Sequence, residues 1–262
     1  MYGMGLIEYA LWVIGALVVI CAIGLPLMIL FTWSFPAQMS PQFVTLGSGM
    51  EEAAGYFRSI ERSLADEGFK ATRPILPPGM GTAVGVMILL VNRRTGDAAA
   101  AAAIFARDGK GGMVLKQKYL EFMTLFDNGH AILTGNSSEL SAFAPVPERD
   151  SIMLPGVTSP SLLHRLHTQR VQLSPHARQQ RVIPQPGEEA KFAVEEVIAA
   201  IDAQTRTGYM RRSGNVYRPT IKGAFLMVWK NLPPFSWIRK SLSNARARAE
   251  AARLNADPAS VV

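Results

Sequence analysis

The chain has 262 residues, 48% of them apolar and 18% charged, with a formal net charge of +7. That composition excludes a disordered tail, which would be poorer in apolar residues, and a polytopic membrane protein, which would carry several long apolar runs. The single cysteine, Cys21, excludes an intrachain disulfide, so nothing covalent suits the chain to an oxidising compartment, and the composition leans towards the cytoplasm.

Residues 9–35 contain no charge. About 20 apolar residues cross a hydrocarbon layer as a helix, so the run is long enough to span with some tilt. Leu11 and Ile20 lie within it, and Trp12 and Trp33 fall near its ends, where indole rings favour the interface. Pro26 predicts a kink, because it withholds one backbone N–H. A cleaved signal peptide fits less well: no Lys or Arg precedes the run, the run is too long, and Phe35-Pro36-Ala37 is a poor cleavage site. The flanks scarcely orient the span, since one side offers Glu8 and the first basic residue beyond it is Arg58.

The soluble part reads as α+β, an antiparallel meander packed with helices. Ser48 and Glu51 have capping-box spacing, followed by Ala53, Phe57, Ile60 and Leu64 at helical intervals until Gly68. A proline-rich loop follows, in which Gly79 and Gly81 resemble part of a dinucleotide loop but precede a strand instead of following one. Four apolar runs, 84–91, 98–106, 113–126 and 130–134, are separated by Gly-containing turns, the signature of consecutive hairpins. Residues 98–103 are all alanine, which intrinsic propensity makes helical; their place between hairpin signals argues for a strand. Residues 136–186 hold seven prolines and read mostly as loop, with helical periodicity only near Leu162 and Leu166. Ala190, Ala193, Val194, Val197, Ile198 and Ile201 then mark a helix laid on a core, and a short hairpin follows around Ser213-Gly214-Asn215. This divides the chain into an anchor (1–35), an α+β domain (36–205) and a basic extension (206–262), the last compatible with being part of the same domain.

The charge is concentrated at the end. Eleven of the 27 basic residues lie between positions 206 and 253 against one acid, Glu250, whereas the 16 upstream face 18 acids. Lys222, Phe225, Trp229, Lys230, Trp237, Arg239 and Lys240 interleave cations with aromatic rings, which suits a segment lying in a membrane interface on anionic headgroups. The competing reading makes residues 225–229 a core helix with a solvated basic face. Because anionic lipid is concentrated on the cytoplasmic leaflet, the soluble domain is expected there. Nucleic acid is disfavoured, since no recognised module accompanies the charge. Ile238, Leu242, Ala245 and Ala249 form a weak seam for a partner helix.

Chemistry is sparse. His164 and His167, at i and i+3, could share a helix face and, with His176, hold a metal, but Arg165, Arg170 and Arg178 surround them with repelling charge. Asp127, Asn128 and His130 read as turn formers at a hairpin tip. No nucleophile elbow, zincin, paired-cysteine or phosphate-loop motif is present. The expectation is therefore a single-pass membrane protein serving as a non-enzymatic interaction or assembly module. Its partners would be the bilayer, anionic headgroups and an unidentified protein, and no cofactor is expected. The alternative is a membrane-bound hydrolase or metal-dependent enzyme built on His164 and His167.

Overall fold

The computed structural model describes residues 5–77, 84–109, 112–138, 141 and 143–254; Gly79 and Gly81 lie outside them. The chain begins with α1 (Leu6–Val19), a π-helical turn (Ile20–Gly24) and α2 (Leu25–Thr32), which together form one helical rod. Within Glu8–Thr32 of this rod an 18-residue stretch reaches a mean hydropathy of 2.9, long and apolar enough to cross a membrane. Leu11, Trp12 and Ile20 are exposed along it. The π turn stands just ahead of Pro26, where the missing N–H breaks the regular ladder.

No slack connection follows the rod. β1 (Phe35–Pro36) pairs directly with β11 (Val216–Pro219), which pairs with β10 (Met210–Ser213) in a small three-stranded sheet. Phe35, Ile201, Tyr209, Tyr217 and Met227 form a hydrophobic cluster there, with Ile29 and Trp33 packed against it.

The main sheet runs β2 (Gln42–Phe43), β4 (Ile75–Leu76), β5 (Val84–Asn92), β6 (Asp97–Arg107), β7 (Met113–Leu125), β8 (Ala131–Gly135) and β9 (Arg149–Met153), with β3 (Lys70–Ala71) paired to β5. Helices cover both faces. On one, α3 (Glu51–Ala65) and α4 (Pro160–Leu173) bury Phe57, Leu64, Leu163 and Leu166 against Leu90, Phe105 and Phe122. On the other, Ala190 and Ala193 of α5 (Glu189–Arg206) meet Met87, Leu89 and Val91. The alanine run is indeed a strand, and its period-2 alternation serves both layers: Ala99, Ala101 and Ala103 face the first core, Ala98 and Ala102 the second. Small side chains let two helical layers approach one sheet, and pairing to β5 and β7 on either side outweighs helix propensity.

Two sequence expectations need correcting. The sheet is mixed, not wholly antiparallel: β5 to β8 form the expected meander, but β9 joins β8 in parallel. Residues 136–186 are mostly loop, as their prolines implied, interrupted by β9 and by α4 around Leu162 and Leu166. Ser48 does not cap α3. The N-cap is Met50, and the Glu51 carboxylate accepts a hydrogen bond from Gly49 N. The C-terminal region consists of α6 (Ile221–Trp229) and α7 (Phe235–Arg253), and α7 turns Ala247 and Ala251 into the first core. Ile238 and Leu242 point outwards.

Candidate functional site

Two constellations stand out, one polar and buried under α4, the other apolar and exposed on α6 and α7. Ser159 caps α4, its hydroxyl accepting from Leu162 N, and Pro160 occupies the first turn, where a missing N–H costs nothing. His164, His167 and Arg170 then project at i, i+3 and i+6 among Leu163 and Leu166. His167 is fully buried. Its Nε2 lies 2.9 Å from Thr124 Oγ1 and its Nδ1 3.0 Å from Thr134 Oγ1.

Counting donors fixes the proton positions. The Thr124 hydroxyl donates to Asp97 Oδ1 at 2.5 Å, so Thr124 can only accept from His167 Nε2. The Nδ1 of a neutral ring is then an acceptor for Thr134, which in turn accepts from Arg170 Nη1 at 2.7 Å. The result is a chain of one polarity from Arg170 through Thr134, His167 and Thr124 to Asp97, which also receives Arg181 Nη1 at 2.9 Å. Charges agree with the geometry. Burial pushes His167 well below the ordinary histidine range, against the pull of Asp97 and with Arg170 adding to the depression. Burial alone would raise Asp97, but the adjoining His164 and the hydrogen bond from Thr124 hold it below the usual carboxylate range. Arg170 also donates to Leu133 O at 2.5 Å and pairs with Asp150 at 2.9 Å, and its Nε lies 3.5 Å from Glu250. Asp150 and Glu250 bring β9 and α7 into the same network.

His164 occupies the rim. Its Nδ1 pairs with Glu67, and its Nε2 lies 3.7 Å from Asp97. Burial depresses its basicity, but Asp97 and Glu67 outweigh that and raise it. An open depression of about 480 Å³ adjoins it, lined by Glu67, Ser159, Ser161, Leu162, His164 and Arg165. Its hydroxyls are engaged elsewhere: Ser161 donates to Ser63 O at 3.3 Å and Ser159 caps α4. His176 does not join His164 and His167. It stacks on His130, with ring centroids 4.0 Å apart, and contacts Asn128 at the hairpin tip. Among the described residues, no group of three or more His, Cys, Asp or Glu side chains is placed to hold a metal ion.

The second constellation gathers the C-terminal residues singled out by composition. The Thr220 hydroxyl caps α6 by accepting from Gly223 N, and Gly223 lies against the Tyr209 backbone. α6 packs on α2 and on the π turn. The Trp229 indole donates to Ala22 O at 3.4 Å, and Ala22 is the residue whose carbonyl Pro26, four positions on, cannot serve. Pro26 itself is buried and Trp33 half-buried, packed beside Phe35 and Phe143. Phe225 is half-buried, whereas Trp229, Phe235, Trp237, Ile238 and Leu242 are exposed.

Seven of the eleven basic side chains fall into two groups. Arg206, Arg246 and Arg253 pair with Glu148, Asp150 and Glu250, so their charge is largely spent within the domain. Lys222 and Lys230 both reach over the Tyr209 ring, Lys230 at 4.6 Å, and Arg239 donates to Lys230 O and Ser141 O. Those contacts leave their positive charge unneutralised. Lys240 is exposed and has no ion-pair partner among the described residues. Sequence reasoning missed Asp97, Thr124, Thr134, Arg170 and Glu67. The one signal for them was the spacing of His164, His167 and Arg170 between leucines. Comparison with protein-family models, curated proteins and solved structures gave no match.

Proposed function

We propose that this chain is a membrane-anchored, non-enzymatic interaction or assembly module. Leu6–Thr32 crosses the bilayer once, and the basic C-terminal region rests on anionic headgroups on the domain's side, which we take to be cytoplasmic. The observation that carries this reading is the seating of α6 on the apolar rod, with Trp229 donating to Ala22 O. Together with the β1–β11 pairing, it supports a domain held rigidly at the foot of the span. The unneutralised cations include Lys222, Lys230, Arg239 and Lys240. At about 1 kcal/mol each near an anionic leaflet, they add a few kcal/mol to a domain already tethered.

The polar chain under α4 supports the non-enzymatic side of the proposal. His167 is sealed from solvent, and neither serine of the depression is hydrogen-bonded to His164. Its geometry is that of a rivet joining α4, the sheet and α7. The test uses the full chain in nanodiscs of neutral or anionic phospholipid, with lysine acylation mapped by mass spectrometry. Lys240 is expected to be protected at least several-fold in the anionic discs alone, with protection lost at high salt. Equal labelling in both lipids refutes the headgroup contact. Metal bound stoichiometrically to the purified protein, and lost in His164→Gln, would instead favour the enzymatic alternative.

A further inference from the structure

We infer that the corner between α6 and α7, residues 221–242, is a second membrane element that dips into the acyl-chain layer of the leaflet from which the N-terminal rod emerges. Its partner is phospholipid. The inference rests on the reading that Leu6–Thr32 spans the bilayer, and goes beyond it in placing side chains of the C-terminal region below the headgroups.

Depth is the first argument. A hydrocarbon layer of ~30 Å takes about 20 helical residues at ~1.5 Å each. Glu8 sets the outer limit, because a carboxylate is costly inside that layer and this one is held at the helix start by Gly5 N. A layer starting just after Glu8 extends to Met28, so Ala22 lies about 9 Å inside its near surface. Any shift of the layer towards Thr32 deepens it. Trp229 touches Ala22 O, so the end of α6 shares that depth. The contact also has a purpose there. A carbonyl left unserved by Pro26 finds no water in hydrocarbon, and an indole N–H is a donor whose remaining surface is at ease in lipid.

Exposure is the second argument. Outside the N-terminal rod, the described residues leave ten large apolar side chains exposed, and six of them fall in this corner: Ile221, Trp229, Phe235, Trp237, Ile238 and Leu242. Trp229 and Phe235 stack on each other across the turn, with ring centroids 6.1 Å apart, which keeps the apolar edge continuous from one helix to the next. Such a concentration beside a spanning helix is a surface completed by lipid. The polar groups sit where immersion demands. Lys230 and Arg239 turn back towards the domain, donating to Phe143 O and Ser141 O, while Lys240 remains available for headgroups.

The experiment uses the full chain in phosphatidylcholine–phosphatidylglycerol vesicles, with acyl chains brominated near the headgroup or near the methyl end. Variants retaining only Trp12, only Trp229 or only Trp237, the other tryptophans replaced by Phe, are compared, and the unaltered chain is measured alongside against aqueous iodide. Trp12 reports the span. Trp229 and Trp237 are expected to be quenched by bromolipid as strongly as Trp12, to emit to the blue and to resist iodide. If Trp12 is quenched while Trp229 and Trp237 respond only to iodide, the corner lies outside the bilayer and the inference fails with the span intact. If Trp237 resists both quenchers, a second copy covers it, and the inference fails equally. If Trp12 itself escapes bromolipid, the spanning reading falls, and this inference with it. Iodide access in the unaltered chain separates a misfolded variant from a genuine result.

Discussion

Replacing Thr134 with Val tests the polar chain at its middle link. The substitution preserves shape but deletes the hydroxyl that donates to His167 Nδ1 and accepts from Arg170 Nη1. Arg170 keeps Leu133 O at 2.5 Å, so the charge is not stranded. His167 has no such reserve: its ring is fully buried, and Nδ1 is left without a donor. A buried acceptor stripped of its partner costs about 1–3 kcal/mol. We expect Thr134→Val to lose about 2 kcal/mol, which for a domain of this size lowers Tm by about 4–8 °C. Thr134→Ser is the matched control, because it keeps the hydroxyl and loses one methyl, about 1 kcal/mol. Urea unfolding of the full chain in nanodiscs, followed by circular dichroism, measures both. If Thr134→Val lies within about 0.5 kcal/mol of the parent, or Thr134→Ser is the worse of the two, the directed chain does not hold α4 to the sheet.

The pH dependence of stability separates the two histidines of α4. His164 is raised above its ordinary 6.5 by Asp97 and Glu67 despite its burial, so its contribution is complete below pH 6.5 and is lost as pH rises through the raised value. His167 is lowered, so the unfolded chain takes up a proton below pH 6.5 that the native one refuses, and stability is lost as pH falls. The Tm gap between parent and His164→Gln should therefore be widest below pH 6.5 and close in alkali; a gap that widens with pH contradicts the assigned partners. Gly223→Ala would place a Cβ 1.9 Å from Tyr209 O, a backbone atom that cannot turn aside. We expect about 1–3 kcal/mol of destabilisation from overpacking, together with a red shift of Trp229 emission as α6 lifts from α2. An unshifted spectrum would show that α6 is not fixed by that contact.

Much of the local structure was legible in the sequence because its causes are local. The charge-free run of residues 9–35 carries its own length requirement, whatever the rest of the chain does. The hairpins around Gly96, Gly129 and Gly214 were visible because each turn needs a residue at positive φ, and all three glycines adopt it. α3 and α5 were visible because their buried positions are apolar at helical spacing. The alanine strand stood between the two regimes: its propensity argued for helix, and only its place between hairpin turns argued otherwise.

What tertiary structure decided is what polar residues do once buried. Only a short part of α4 was legible, because its inward face is interrupted by His164, His167 and Arg170, whose partners Asp97, Thr124 and Thr134 lie 33 to 70 residues from His167. The parallel entry of β9 had no local signal either, since parallel pairing depends on a crossover and not on a turn. On α7 the periodicity indicated Ile238, Leu242, Ala245 and Ala249 as a seam for a partner helix, but not that Ala247 and Ala251 are the positions buried in the chain's own core. The ion pairs of Arg246 with Asp150 and of Arg170 with Glu250 accompany that rotation. Hydrophobicity along the chain could say that the C-terminal region was amphipathic. Which of its faces meets protein, and which is left for lipid, depended on contacts between residues as far apart in sequence as Ala22 and Trp229.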